Sequence, residues 1–122
     1  MVLRGNKRGI GLTYALNGFL LIVKKERNFK IHLIALLLVI TASSLLKLTY
    51  IEWAIILIVS SIVLITEMLN SAIERTIDYI KPEIHPRAKE IKDMAAGAVL
   101  LSAISAVIIG CIIFIRKIYL LM

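Results

Sequence analysis

Residues 51–80 read IEWAIILIVSSIVLITEMLNSAIERTIDYI, and the fold of the chain turns on how this stretch is interpreted. It begins as an apolar run and ends carrying acids. If the whole stretch is one helix, Glu67, Ser71, Glu74 and Asp78 recur at i, i+4, i+7 and i+11 on a single stripe, with Asn70 beside it. A carboxylate close to hydrocarbon costs about 2.5–3.5 kcal/mol on insertion scales, so the stripe is expected to face a partner, a metal or water. A polar seam between helices would suit Asn70 and Ser71. Three acids on one stripe repel each other, however, unless something cationic sits between them. The stripe is therefore read as a metal or substrate site.

The surrounding sequence is that of a membrane protein. The chain has 122 residues, 60% of them apolar, with a mean hydropathy of +0.92, too apolar for an ordinary soluble domain. The expected fold is all-α and integral to the membrane: a surface helix over residues 1–28, then spanning helices over 29–48, 51–80 and 87–117, forming one domain over 1–122. The apolar runs within them, Ile31 to Leu46, Ile51 to Ile73 and Met94 to Ile115, are each roughly 16–23 residues, near the ~20 a helix needs to cross hydrocarbon. Three such helices bury little surface alone, which points to a homo-oligomer.

Basic residues give an orientation. Arg4, Lys7, Arg8, Lys24, Lys25, Arg27 and Lys30 precede the first span, and Arg75, Lys81, Arg87, Lys89 and Lys92 cluster between the second and third. The first loop has only Lys47, and the tail Arg116 and Lys117. The positive-inside rule then makes the N-terminus, the second loop and the acidic stripe cytoplasmic. The net charge of +7 is explained by anionic headgroups, with no platform or recognition helix for nucleic acid. Cys111, the single cysteine, reads as a small apolar residue within a span. No cleavable signal peptide is expected.

Leu12, Leu16, Phe19 and Val23 recur at i, i+4, i+7 and i+11 between basic clusters, the pattern of a helix lying among headgroups. Lys47 to Trp53 reads as a tight turn with Tyr50 and Trp53 as interface anchors. Pro82 and Pro86 stiffen the second loop, and Ala95-Ala96-Gly97-Ala98 allows close helix approach.

These residues suit phosphoryl transfer. Glu67 and Glu74 lie about two helical turns apart, so the deeper one can act as a general base while the shallower holds Mg²⁺. Lys92 supplies a cation for phosphate beside Asp93, and Glu26 stands just before the first span. Phosphoryl transfer needs positioning, Mg²⁺ and a base on the accepting hydroxyl. The G-x-x-x-x-G-K-[ST] loop, a Rossmann fingerprint, a zinc signature and a nucleophile elbow are all missing from the sequence. A nucleotide would have to be held by isolated residues on helix ends.

Three blocks resemble one known family: Glu67-x-x-Asn70-Ser71-Ala72-Ile73-Glu74-x-x-x-Asp78; Lys92-Asp93-Met94-Ala95-Ala96-Gly97-Ala98-Val99; and Glu26-Arg27-Asn28-Phe29-x-x-His32. Their order and spacing, over nearly the whole chain, are similar to the small prokaryotic diacylglycerol and undecaprenol kinases, and closest to the Gram-positive undecaprenol branch. The resemblance implies a homotrimer in the bacterial cell membrane whose active sites are shared between protomers, with ATP as co-substrate, Mg²⁺, and a lipid alcohol as acceptor. By this resemblance Glu67 matches the general base, and Glu26 and Glu74 the Mg²⁺ ligands. Lys92, Asp93, Glu83, Ile84, His85, Tyr14 and Asn70 match nucleotide contacts. Lys7 stands where the better-known branch has an Arg, with Arg8 next to it; Lys cannot offer a bidentate fork.

Each assignment has a plainer rival. Asn70 and Ser71 could bond between helices, Asp78 could pair with Lys81 or Arg75, and His85 could be a solvated loop residue. His32 is expected as a polar cap at the interface, and Arg27 and Lys30 as headgroup contacts. The acceptor is read as undecaprenol, with diacylglycerol as the alternative. A proton-coupled transporter or assembly subunit is the alternative of another class; a transporter would carry its acid near the midplane between repeated halves, and no repeat is visible.

Overall fold

The computed structural model describes residues 10–122; Lys7 and Arg8 lie outside the described residues. Four helices follow one another: α1 (Ile10–Lys25), α2 (Arg27–Leu45), α3 (Tyr50–Ile80) and α4 (Pro86–Leu121). The last three are long and apolar enough to cross a membrane, and the protein is a multi-pass membrane protein. Among the described residues, α3 packs chiefly against α4 and less extensively against α2, while α1 rests on α2.

The α3–α4 pair is antiparallel and is tied at three levels. Lys117 Nζ lies 2.9 Å from Glu52 Oε1, the hydroxyls of Thr66 and Ser102 are 2.9 Å apart, and Lys92 Nζ bonds Asp78 Oδ1. Forward steps along α3 from Glu52 to Thr66 to Asp78 are matched by backward steps along α4, so the two helices keep one register throughout. Ile56, Leu48 and Ile113 form the buried cluster at the Lys117 end, with Val39, Trp53 and Phe114 against it.

The α2–α3 connection is a helix stop followed at once by a helix start. Leu48 N–H bonds Ser43 O at 3.3 Å and Lys47 N–H bonds Ser44 O at 3.3 Å, the paired bonds of a Schellman motif. Lys47 takes the left-handed conformation, φ 55°, that this motif usually gives to Gly. Thr49 then caps α3: its hydroxyl accepts from Glu52 N–H while the Glu52 carboxylate accepts from Thr49 N–H, a reciprocal capping box. The same carboxylate oxygen meets Lys117, so one side chain both starts α3 and fixes the end of α4. Tyr50 is almost fully exposed, while Trp53 is partly buried against the cluster, so Trp53 is part of the packing.

The surface helix differs in detail from its sequence pattern. Leu12 and Leu16 are well exposed. What seats α1 is Ile22, which is buried, and Phe19, whose ring meets the fully buried Phe29 edge-on at 5.7 Å between centroids. Leucines on an interfacial helix can face acyl chains instead of protein, so their periodicity alone does not identify the docking residues.

Lys47→Gly tests the helix stop. Glycine removes the Cβ clash of the left-handed conformation at some cost in chain entropy. The expected outcome is a gain in stability of about 0.5–1 kcal/mol, read as a higher thermal midpoint of the protein in detergent; a lower midpoint would contradict the Schellman assignment.

Candidate active site

The core face of α3 runs from Ile56 and Val63 straight into Glu67, Asn70 and Ser71, all buried. Burial then falls away along the acidic stripe, with Glu74 intermediate and Asp78 exposed. At the ideal rise of 1.5 Å per residue, Glu67 lies about 26 Å from the start of α3, close to the full thickness of the hydrocarbon. The stripe therefore grades from an apolar setting into a polar one. Glu67, at 3% exposure, is its deepest acid.

Around Glu67 the structure gathers His32, Glu74 and Glu26 within electrostatic range. His32 Nε2 is 3.6 Å from Glu67 Oε1, so it is a partner of the buried acid and not simply a cap at the interface. The sequence carries a signal for this: Phe29, His32, Leu36, Val39 and Ser43 recur at helical spacing, and Phe29 and Ser43 are fully buried. Asn70 Oδ1 and Ser71 Oγ are buried and have no hydrogen-bond partner among the described residues. The interhelical hydroxyl bond seen among those residues is made instead by Thr66 and Ser102.

Glu26 stands at the break between α1 and α2. It is the N-cap residue of α2 but makes no side-chain cap bond; its carboxylate instead accepts from Arg75 Nη2 of α3 at 3.1 Å. This ion pair carries the α1–α2 junction onto α3. Asp78 pairs with Lys92 across the helix pair, and not with Lys81 or Arg75, because Arg75 is engaged by Glu26 and Lys81 by Glu83 at 3.2 Å. Lys92 thus comes next to the acidic stripe, while its neighbour Asp93 bonds Lys89 on its own helix at 2.6 Å.

The second loop lies at the same end. Its own backbone N–H and then the Lys81 ammonium hold the Glu83 carboxyl below its usual range. Ile84 is fully exposed. His85 is the N-cap of α4, where Nδ1 accepts from Arg87 N–H at 3.1 Å and Pro86 takes the first helical position, a structural role the sequence reading did not assign. Tyr14 is half-exposed on α1.

No group of three or more His, Cys, Asp or Glu side chains is close enough to form a metal cage among the described residues. Mg²⁺ does not require one, since it is usually held by one or two carboxylates with water and substrate phosphates. Glu26 and Glu74 near Glu67, with the unpaired oxygen of Asn70 on the intervening turn, are hard oxygen donors of the right kind.

Beneath the polar cluster, α2, α3 and α4 enclose an open groove of about 470 Å³. His32 lines one end and Phe114 the other, with Val39, Ile56, Val63 and Ala106 among the residues between. Its lining is apolar but for His32, Ser60 and Cys111.

A bundle of apolar helices with carboxylates and cations gathered at one end, above an apolar groove, defines a membrane protein built for polar chemistry at a lipid interface. The chain belongs to the prokaryotic diacylglycerol kinase family, whose model matches residues 13–114. It is 44% identical to an undecaprenol kinase of Bacillus subtilis over 94 residues, 77% of this chain and 76% of that protein. It is likewise 44% identical to a diacylglycerol kinase of Synechocystis over 102 residues, 83% of this chain but 58% of the relative. A diacylglycerol kinase of Helicobacter pylori is 34% identical over 94 residues, 76% of this chain and 73% of the relative.

The Phe29 and Arg75 contacts differ sharply in expected weight. Phe29→Ala removes a fully buried ring and should cost on the order of 3 kcal/mol. Arg75→Gln breaks an ion pair whose members are both partly exposed, and should change stability by less than about 1 kcal/mol. Thermal midpoints of the two variants in the same detergent check the ranking.

Proposed function

We propose that this protein is an ATP- and Mg²⁺-dependent lipid kinase, and that its acceptor is undecaprenol, converted to undecaprenyl phosphate. The observation that carries the reading is Glu67: a buried carboxylate beside His32, which lines an apolar groove, in a chain 44% identical to an undecaprenol kinase over most of its length. The groove suits a lipid tail, which would hold the hydroxyl at the depth of Glu67.

In the proposed reaction Glu67 takes the proton from the lipid hydroxyl. The oxygen attacks the γ-phosphorus, and the bond from that phosphorus to the bridging oxygen breaks with its electron pair leaving on ADP. The proton stays on Glu67 until it passes to water. Mg²⁺, held by Glu26 and Glu74, would neutralise charge on the transferring phosphate. Lys92 contacts phosphate once it exchanges Asp78 for nucleotide, with Asp93, Asn70, Glu83, Ile84, His85 and Tyr14 forming the rest of the nucleotide site. Lys7 or Arg8 supplies a further cation.

The proposed assembly is a homotrimer in the bacterial cell membrane, with the N-terminus and site cytoplasmic and sites shared between protomers. Support comes from the small apolar core of the single chain, with Ile22, Phe29, Leu48, Ile56, Val63 and Ile113 its buried apolar residues among those described. The basic residues concentrated at the Glu67 end support that orientation.

Diacylglycerol is the second reading, favoured by the Synechocystis relative. It would bring two ester carbonyls into a groove with few donors, and each left unpaired costs roughly 1–3 kcal/mol. Purified protein with labelled ATP and Mg²⁺, offered both lipids in parallel micelles, should show at least tenfold higher kcat/KM on undecaprenol, about 1.4 kcal/mol. Equal or better use of diacylglycerol would overturn the preference and leave the kinase reading standing.

Glu67→Gln keeps the shape of the side chain but cannot take a proton. It should lower kcat by more than tenfold, about 1.4 kcal/mol on the barrier, while nucleotide binding is retained. Turnover above a tenth of wild type would remove Glu67 as the base.

A further inference from the structure

His32 belongs at once to the acidic cluster and to the groove. Its Nε2 is 3.6 Å from Glu67 Oε1, its side chain is 27% exposed against 4% for Glu67, and its ring lines the end of the apolar groove. Among the described residues the only other ionisable group lining that groove is the Cys111 thiol. We propose that His32 is a positioning residue for Glu67: an N–H on Nε2 engages Oε1, fixes the carboxylate rotamer, and leaves the second oxygen facing the lipid hydroxyl delivered along the groove.

The geometry favours positioning over simple packing. A carboxylate side chain that does not hold one orientation spends much of its time misdirected, and a small misplacement of a reacting group is costly in rate. Among the described residues Glu67 makes no hydrogen bond to a cation of the cluster; Arg75 is engaged by Glu26 and Lys92 by Asp78. At 3.6 Å the imidazole is at ion-pair distance and longer than a hydrogen bond, and catalytic contacts of unliganded sites commonly tighten once substrate is in place. His32 also links the groove its ring lines to Glu67, which is not itself among the lining residues, so in this proposal its ring bears on both the direction of the base and the arrival of the acceptor.

The inference rests on Glu67 being the base, and the test separates the two ideas. Full-length protein in micelles is assayed with Mg-ATP and undecaprenol for His32→Met and His32→Gln, side chains of similar size that differ in having an N–H donor. His32→Met should lower kcat at least tenfold with KM for ATP within twofold of wild type, and His32→Gln should recover at least a third of wild-type kcat. On a Glu67→Gln background, His32→Met should change the residual rate less than twofold, because residues acting as a unit are not additive.

A measurement on the unaltered histidine completes the test. The imidazole ¹⁵N resonances of His32 should move when Glu67→Gln is introduced, while those of His85, the other histidine of the chain, stay in place. Wild-type kcat in His32→Met, an equal loss in His32→Met and His32→Gln, a loss of the same size on both backgrounds, or unmoved His32 resonances would each overturn the proposal. Full turnover by Glu67→Gln alone would overturn the base assignment and this inference with it.

Discussion

The antiparallel register of α3 and α4 is the constraint on which the rest depends. Thr66 and Ser102 tie the pair one residue from Glu67, and Asp78 and Lys92 tie it at the polar end. A slip of either helix by one residue would turn the side chains by about 100° and dismantle both contacts. It would also carry Lys92 away from the acidic stripe. The depth of the buried acid and the approach of a cation to it are therefore set by the same pairing. Glu52 and Lys117 fix the other end, so a long lever of α4 is held at both extremes.

Much of this architecture is legible in the sequence. The three spans follow from run length, and the acidic stripe follows from 3.6-residue periodicity, since Glu67, Ser71, Glu74 and Asp78 do share a face that emerges from burial in that order. What escapes is pairing between helices. Asp78 has Arg75 and Lys81 close by in sequence, yet meets Lys92, because tertiary contacts engage the two neighbours first. His32 looks like an interface residue when α2 is judged by hydropathy; only the spacing from Phe29 to Ser43 turns it toward α3. The surface helix is legible in kind but not in detail, since an interfacial helix buries apolar residues in lipid as readily as in protein.

One face of α3 serves two purposes. Ile56 and Val63 give it a packed core, and Glu67, Asn70 and Ser71 continue that face into groups whose hydrogen-bonding capacity is not fully used. A buried oxygen without a partner is a standing cost in stability. Among the described residues two of the three such oxygens, Asn70 Oδ1 and Ser71 Oγ, lie within one turn of the helix beside the deepest acid, and the third, Ser43 Oγ, is on α2. The helix that carries the first two is capped at its start by Thr49 and tied along its flank to α4.

The abrupt α2–α3 turn has a consequence for how the chain enters the bilayer. A left-handed stop at Lys47 and a cap at Thr49 leave almost no slack between the two helices. Of the three spans, α2 and α3 are the less apolar and α4 the most. With so short a tether α2 and α3 form a helical hairpin, and the two are expected to enter the membrane as one unit. The polar residues of α3 are then carried in alongside the partner helix that brings His32 to Glu67. On that expectation, the turn that ends one helix also couples the arrival of His32 to that of Glu67.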